Sequence, residues 1–144
     1  WGFKHEDYDM VQANIAIVDQ ARGGKGCAIV HSDDERGIQR LNQEAAKARA
    51  AGNKAGYDIS KARAMSWITS NPAKAAGIYH ETGSLVAGKN ADVVLWSGDP
   101  FSVYSLAEQV FIDGALAFNR NTGFGPVSDF DVGIVDPRED RVND

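Results

Sequence analysis

The sequence predicts an α/β chain, and three observations carry that prediction. Segments with helical and extended periodicity alternate over the first half. The period changes from helical to extended near Gly83. An Asp-Gly pair, Asp113-Gly114, then sits between two apolar runs.

The elements follow in order. From Asp9 to Ala21 the residues Val11, Ile15 and Val18 recur at helical spacing, with Asp7 or Asp9 as cap, and Gly23-Gly24 breaks the helix. Cys27 to Val30 is a short continuous apolar run, the pattern of a strand buried on both faces of a parallel sheet. After the polar stretch His31 to Arg36, a second helix is expected from Gly37 to Ala51, with Ile38, Leu41, Ala45 and Ala48 inward and Gly52 at its end. Helix, strand, polar loop, helix is the order of an α/β barrel or of a doubly wound sheet. A third helix is expected from Ile59 to Thr69, capped by Asp58, with Ala62, Met65 and Ile68 buried. Asn71-Pro72 interrupts it, because proline disfavours a helical residue before it, and a short turn from Pro72 ends at Gly77. Ala91 to Trp96 reads as a strand. Val110 to Ile112 and Ala115 to Phe118 flank the Asp-Gly hairpin turn. Beyond Arg120 the composition of Gly, Asp, Asn and Pro predicts an extended or disordered tail over 121–144.

Composition narrows the function. The chain has 144 residues, 43% hydrophobic and 24% charged, with a net charge of −5. Its basic residues are interleaved with acidic ones, which argues against a nucleic-acid partner, since phosphate binding needs clustered Lys and Arg. No apolar run approaches the roughly 20 residues that cross a bilayer, so no membrane partner is expected. The single cysteine, Cys27, excludes an internal disulfide and reads as a buried, inert thiol. The start Trp1-Gly2-Phe3 has no Met and no signal pattern, and reads as truncated.

Two longer motifs carry more information. Thr69-Ser70-Asn71-Pro72-Ala73-Lys74-Ala75-Ala76-Gly77-Ile78 is followed by Gly83-Ser84-Leu85-Val86-Ala87-Gly88-Lys89-Asn90-Ala91-Asp92-Val93-Val94-Leu95, and then by Val110-Phe111-Ile112-Asp113-Gly114. Upstream, His31-Ser32-Asp33-Asp34 closes the expected strand. In this order the motifs resemble the C-terminal part of the amidohydrolase superfamily, nearest to its imidazolonepropionase-like and Xaa-Pro dipeptidase-like members. The resemblance covers roughly Asp9 to Arg120.

That resemblance implies the last β/α units of a TIM-type metallo-hydrolase barrel, followed by the C-terminal strands of a small β-sandwich. Residues 1–78 would be the barrel segment with strand eight, 79–120 the sandwich strands and 121–144 the tail. A complete barrel needs about 250 residues, so most of its strands would lie elsewhere. It implies hydrolysis of C–N amide bonds, in a cyclic amide or dipeptide-like substrate, by metal-activated water. The cofactor would be a divalent metal, zinc by expectation. Asp33 takes the position of the last metal-site aspartate, as ligand and general base, and His31 could line the site. The expected partners are a small-molecule substrate and either further copies of the chain or a missing N-terminal segment. The family's histidine pair and remaining ligands are absent, since His5, His31 and His80 are the three histidines and none pair at ligand spacing. The fragment is therefore expected to be inactive alone, because zinc takes about four ligands.

Each candidate has a plainer alternative. From the residues alone, Asp33 would be an N-cap for the helix near Gly37; the strand-end position and motif order favour the metal role. Asp34 and Glu35 suit a helix N-terminus through the macrodipole. Ser32 would point away from Asp33, with no nucleophile constellation around it. Lys4, His5 and Glu6 read as a solvated charged run, and His80 as surface. Asp92 is expected to bond turn backbone. Trp67, Trp96, Phe101 and Tyr104 read as core or packing aromatics. A non-catalytic sandwich-and-helix module that packs on a partner is the competing reading of the chain. A nucleotide-binding piece fits poorly, since Gly23, Gly24 and Gly26 precede the strand instead of following it.

Overall fold

A computed structural model describes residues 9–33 and 37–122. Four α-helices come first: α1 (Asn14–Gly24), α2 (Leu41–Lys54) preceded by a 3-10 turn (Ile38–Arg40), α3 (Lys61–Ser66) and α4 (Ser70–Ala75). Three strands follow: β1 (Val93–Trp96), β2 (Ala107–Ile112) and β3 (Ala115–Asn119). They form one antiparallel sheet in the order β1-β2-β3.

The hairpin behaves as its sequence dictates. Asp113 and Gly114 take φ values of 50° and 79°, the pair of left-handed residues that a two-residue turn needs to match strand twist. Ile112 then pairs with Ala115, and Val110 with Phe118 across a bulge. Asp92 braces the turn as expected, accepting from the Asp113 N–H at 3.0 Å and from Thr82 Oγ1 at 2.6 Å. These two donors, the Thr82 hydroxyl first, hold the Asp92 carboxyl below its ordinary value.

The helices bury different faces from those the apolar spacing suggests. In α1 the buried residues are Ala16 and Asp19, while Val11 and Val18 are exposed. Neither Asp9 nor any other side chain caps it; Ala13 stands at the N-cap, and Asp7 lies outside the described residues. In α3 the buried residue is Ala64, with Trp67 buried at its C-cap, not Ala62 and Met65, and Ser60, not Asp58, is the cap at its start, accepting from the Arg63 N–H. Helix α2 runs past Gly52 to Lys54, and Ile38 is exposed. In α1 the apolar spacing misplaced the face because its largest fully buried side chain is a carboxylate.

Two further expectations fail. Cys27 to Val30 joins no strand: segment 26–32 belongs to neither helix nor sheet, and Val30 N–H donates instead to the Trp67 carbonyl at 3.1 Å. A strand exists only where a neighbour completes the ladder, and no strand lies beside this segment among the described residues. Cys27 is exposed, not buried; Ala28, next to it, is the residue that turns inward. Tyr104 is likewise exposed, at 89%. Trp67 meets its expectation, fully buried in a core with Ala16, Ala28, Ala45, Ile59 and Ala64, against which Phe101 packs. Phe101 belongs to the loop after β1. Asn42 Nδ2 donates to the Pro100 carbonyl and Lys61 pairs with Asp99, so this loop ties the sheet to α2 and α3. The expected tail lies outside the described residues from 123 onward.

Candidate functional site

Segment 26–33 leaves α1 through a backbone crossing that admits only glycine. A Cβ at Gly26 would stand 1.8 Å from the Val18 carbonyl oxygen, and the Gly26 N–H donates to the Asp19 carbonyl at 3.1 Å. From there the chain runs past Ala28 and Val30 to His31 and Asp33.

His31 and Asp33 come together: Nδ1 of His31 lies 3.4 Å from Oδ1 of Asp33, and their side chains are 74% and 78% exposed. One imidazole and one carboxylate are suitable donors for a divalent cation such as zinc. They make two of about four ligands, and no group of three or more His, Cys, Asp or Glu side chains gathers among the described residues. The pair thus fits as part of a ligand set and not as the whole of one. Asp34 and Glu35, like Lys4, His5 and Glu6, lie outside the described residues. His80 is at the surface beside Glu81, 3.1 Å away. A groove of about 920 Å³ lies between α3, α4 and β1; it is lined by Ile68, Pro72, Ile78, Leu85 and Val94, among others, and touches neither His31 nor Asp33. None of the described helices is long and apolar enough to cross a membrane.

What holds the Asp33 segment is a polar network that the sequence reading missed. Asp19 is 0% exposed. Its carboxylate accepts from Arg63 Nε at 2.8 and 3.0 Å, from Trp67 Nε1 at 2.7 Å and from Gln20 Nε2 at 2.9 Å. Arg63 Nη2 in turn donates to the carbonyls of Gly24 at 3.0 Å and Gly26 at 3.1 Å. Asn71, read from sequence as a helix breaker, is buried, and its Nδ2 donates to the Ala28 carbonyl at 2.8 Å. One sequence signal was available: Arg63 and Trp67 are four residues apart, so they share a helix face and can converge on one acceptor.

Residues 20–124 match the amidohydrolase family model. Amidohydrolase tasK of Hapsidospora irregularis is 35% identical over 63 residues, which are 44% of this chain and 6% of that protein. Urease subunit alpha 2 of Streptomyces coelicolor is 32% identical over 102 residues, 65% of this chain and 18% of the subunit. The crystal structure of an amidohydrolase from Thermotoga maritima superposes with a TM-score of 0.65 at 31% identity, covering 83% of this chain and 29% of that one. The chain belongs to the amidohydrolase family. It is a mixed helix-and-sheet fold that matches an amidohydrolase structure while spanning under a third of these relatives' lengths.

Proposed function

We propose that this chain is the C-terminal part of a metal-dependent hydrolase of C–N amide bonds, with Asp33 as metal ligand and proton-transfer carboxylate and His31 beside it. The observation that carries the proposal is the family match over 20–124, which contains the His31–Asp33 pair. Relatives named as an amidohydrolase and as a urease subunit support hydrolysis at C–N bonds; a cyclic amide or dipeptide-like substrate rests on the motif resemblance. In this reading residues 1–78 close a TIM-type barrel and 79–120 contribute to a β-sandwich, with 121–144 as a tail.

A divalent cation, zinc in this reading, supplies Lewis-acid polarisation of the scissile carbonyl when bound. The part played by this chain is proton traffic and orientation. Asp33 accepts a proton from the attacking water at a carboxylate oxygen and returns it to the leaving nitrogen. His31, 3.4 Å away, orients that carboxylate and is in reach to join the ligand set. The two donors found among the described residues fall short of a complete coordination shell, and in this reading the 144 residues alone are inactive.

The remaining ligands come from the rest of a longer chain or from a second copy. Either would also cover the exposed Ile17 and Val18 of α1 and Val11 just before it. The test is Asp33→Asn in the full natural chain. Expected is a loss of at least about tenfold in Zn²⁺ affinity, as for a lost ligand or its close partner, together with loss of turnover. Unchanged Zn²⁺ binding and turnover would sink the proposal.

A further inference from the structure

We infer that a brace of buried polar groups, Asp19–Arg63 at one end and Asn71 at the other, positions the segment that carries Asp33. The inference deepens the reading of Asp33 as a metal ligand and rests on it. Among the described residues segment 26–32 joins no sheet, so the bonds that set its direction here are not those of a ladder. Along 24–30 those bonds are specific. Arg63 holds the carbonyls of Gly24 and Gly26, Asn71 holds that of Ala28, and the Trp67 carbonyl takes the Val30 N–H. Asp33 lies three residues beyond the last of these bonds.

The brace is itself rigid. Arg63 is fixed by a carboxylate with no solvent contact, and that carboxylate is also gripped by the Trp67 indole. A planar guanidinium is the side chain suited to this, because one face of its fork pairs with Asp19 while Nη2 reaches two carbonyls. Lysine could keep the charge pairing but has a single nitrogen to offer. Arg63 and Asn71 are positioning residues, whose side chains bond Asp19 and the backbone carbonyls of Gly24, Gly26 and Ala28.

Arg63→Lys in the full natural chain tests this with two readouts, hydrogen exchange of the metal-free protein and titration with Zn²⁺. The Arg63 side chain is 34% exposed, so a lysine there can reach water. Exchange at the Gly26 and Val30 amides should rise about tenfold, the loss of one charge-assisted bond, while α2 stays protected. Zn²⁺ affinity should fall about 10- to 100-fold, the range for groups that orient a ligand. Exchange that is unchanged over 24–33, or that rises equally in α2, would overturn the inference, as would an unaltered Zn²⁺ affinity. Should Arg63→Lys not fold, Asn71→Ala removes the other end of the brace and is judged by the same outcomes. Asp33→Asn in the same titration separates the two claims. If Asp33→Asn weakens Zn²⁺ binding and the brace variants do not, the brace alone falls; if Asp33→Asn has no effect, the reading of Asp33 falls and takes the inference with it.

Discussion

Removing the Asp19 carboxylate is the most direct probe of how this fold is held. Asp19→Ala strips Arg63 of its ion-pair partner and leaves the Trp67 indole N–H without an acceptor in the core. Breaking one side of a buried pair costs about 3–5 kcal/mol. Here Arg63 is one-third exposed and keeps the carbonyls of Gly24 and Gly26, so water and backbone compensate part of the loss. The orphaned indole adds about 1–3 kcal/mol. Balancing these, Asp19→Ala should destabilise by about 3 kcal/mol, read as the shift in urea denaturation followed by far-ultraviolet circular dichroism. A double-mutant cycle sharpens the test. Replacing both partners with apolar residues, Asp19→Leu with Arg63→Met, should cost less than the two single changes added together, because no uncompensated charge then remains, although the Trp67 indole stays without its acceptor. A cost below about 1 kcal/mol for Asp19→Ala would refute the reasoning, since that is the scale of a surface pair. So would a double mutant that loses the sum of the two single changes.

Other outcomes follow from the same geometry. Gly26→Ala should cost about 3 kcal/mol or more by chemical denaturation, since its methyl would meet the Val18 carbonyl backbone, which cannot turn aside; wild-type stability would refute the crossing. Because the folded Asp92 carboxyl sits below its ordinary 3.8, its contribution is complete above that value and disappears as pH falls through the lower, folded one. Amide protection at Asp113 should therefore drop in acid, and Asp92→Asn should flatten that dependence; an acid-insensitive Asp113 amide in the unsubstituted protein would contradict it. Sedimentation should show the 144-residue chain self-associating through its exposed apolar residues, and a monodisperse monomer at high concentration would count against that.

Much of the local structure was legible in the residues. The hairpin was visible because Asp-Gly needs two left-handed residues and nothing distant to form them. Helix α2 and strand β1 were visible because their patterns are strong over their own length. The faces of α1 and α3 were not. Their inward positions are set by Asp19 meeting Arg63 and Trp67 across more than forty residues of chain, and apolar periodicity is blind to a buried carboxylate. The strand expected at Cys27–Val30 failed for a related reason: its apolar run is real, but a ladder is made by a neighbour.

By itself, then, the sequence determined helix α2, the three C-terminal strands, the turn chemistry of the sheet and the motif order that marks the amidohydrolase family, since each depends on residues close together along the chain. Only the tertiary structure decided that Asp19, Arg63, Trp67 and Asn71 converge on segment 24–30, and that His31 and Asp33 lie 3.4 Å apart at its end. Buried polar groups find their partners by packing, and packing is a property of the folded chain as a whole.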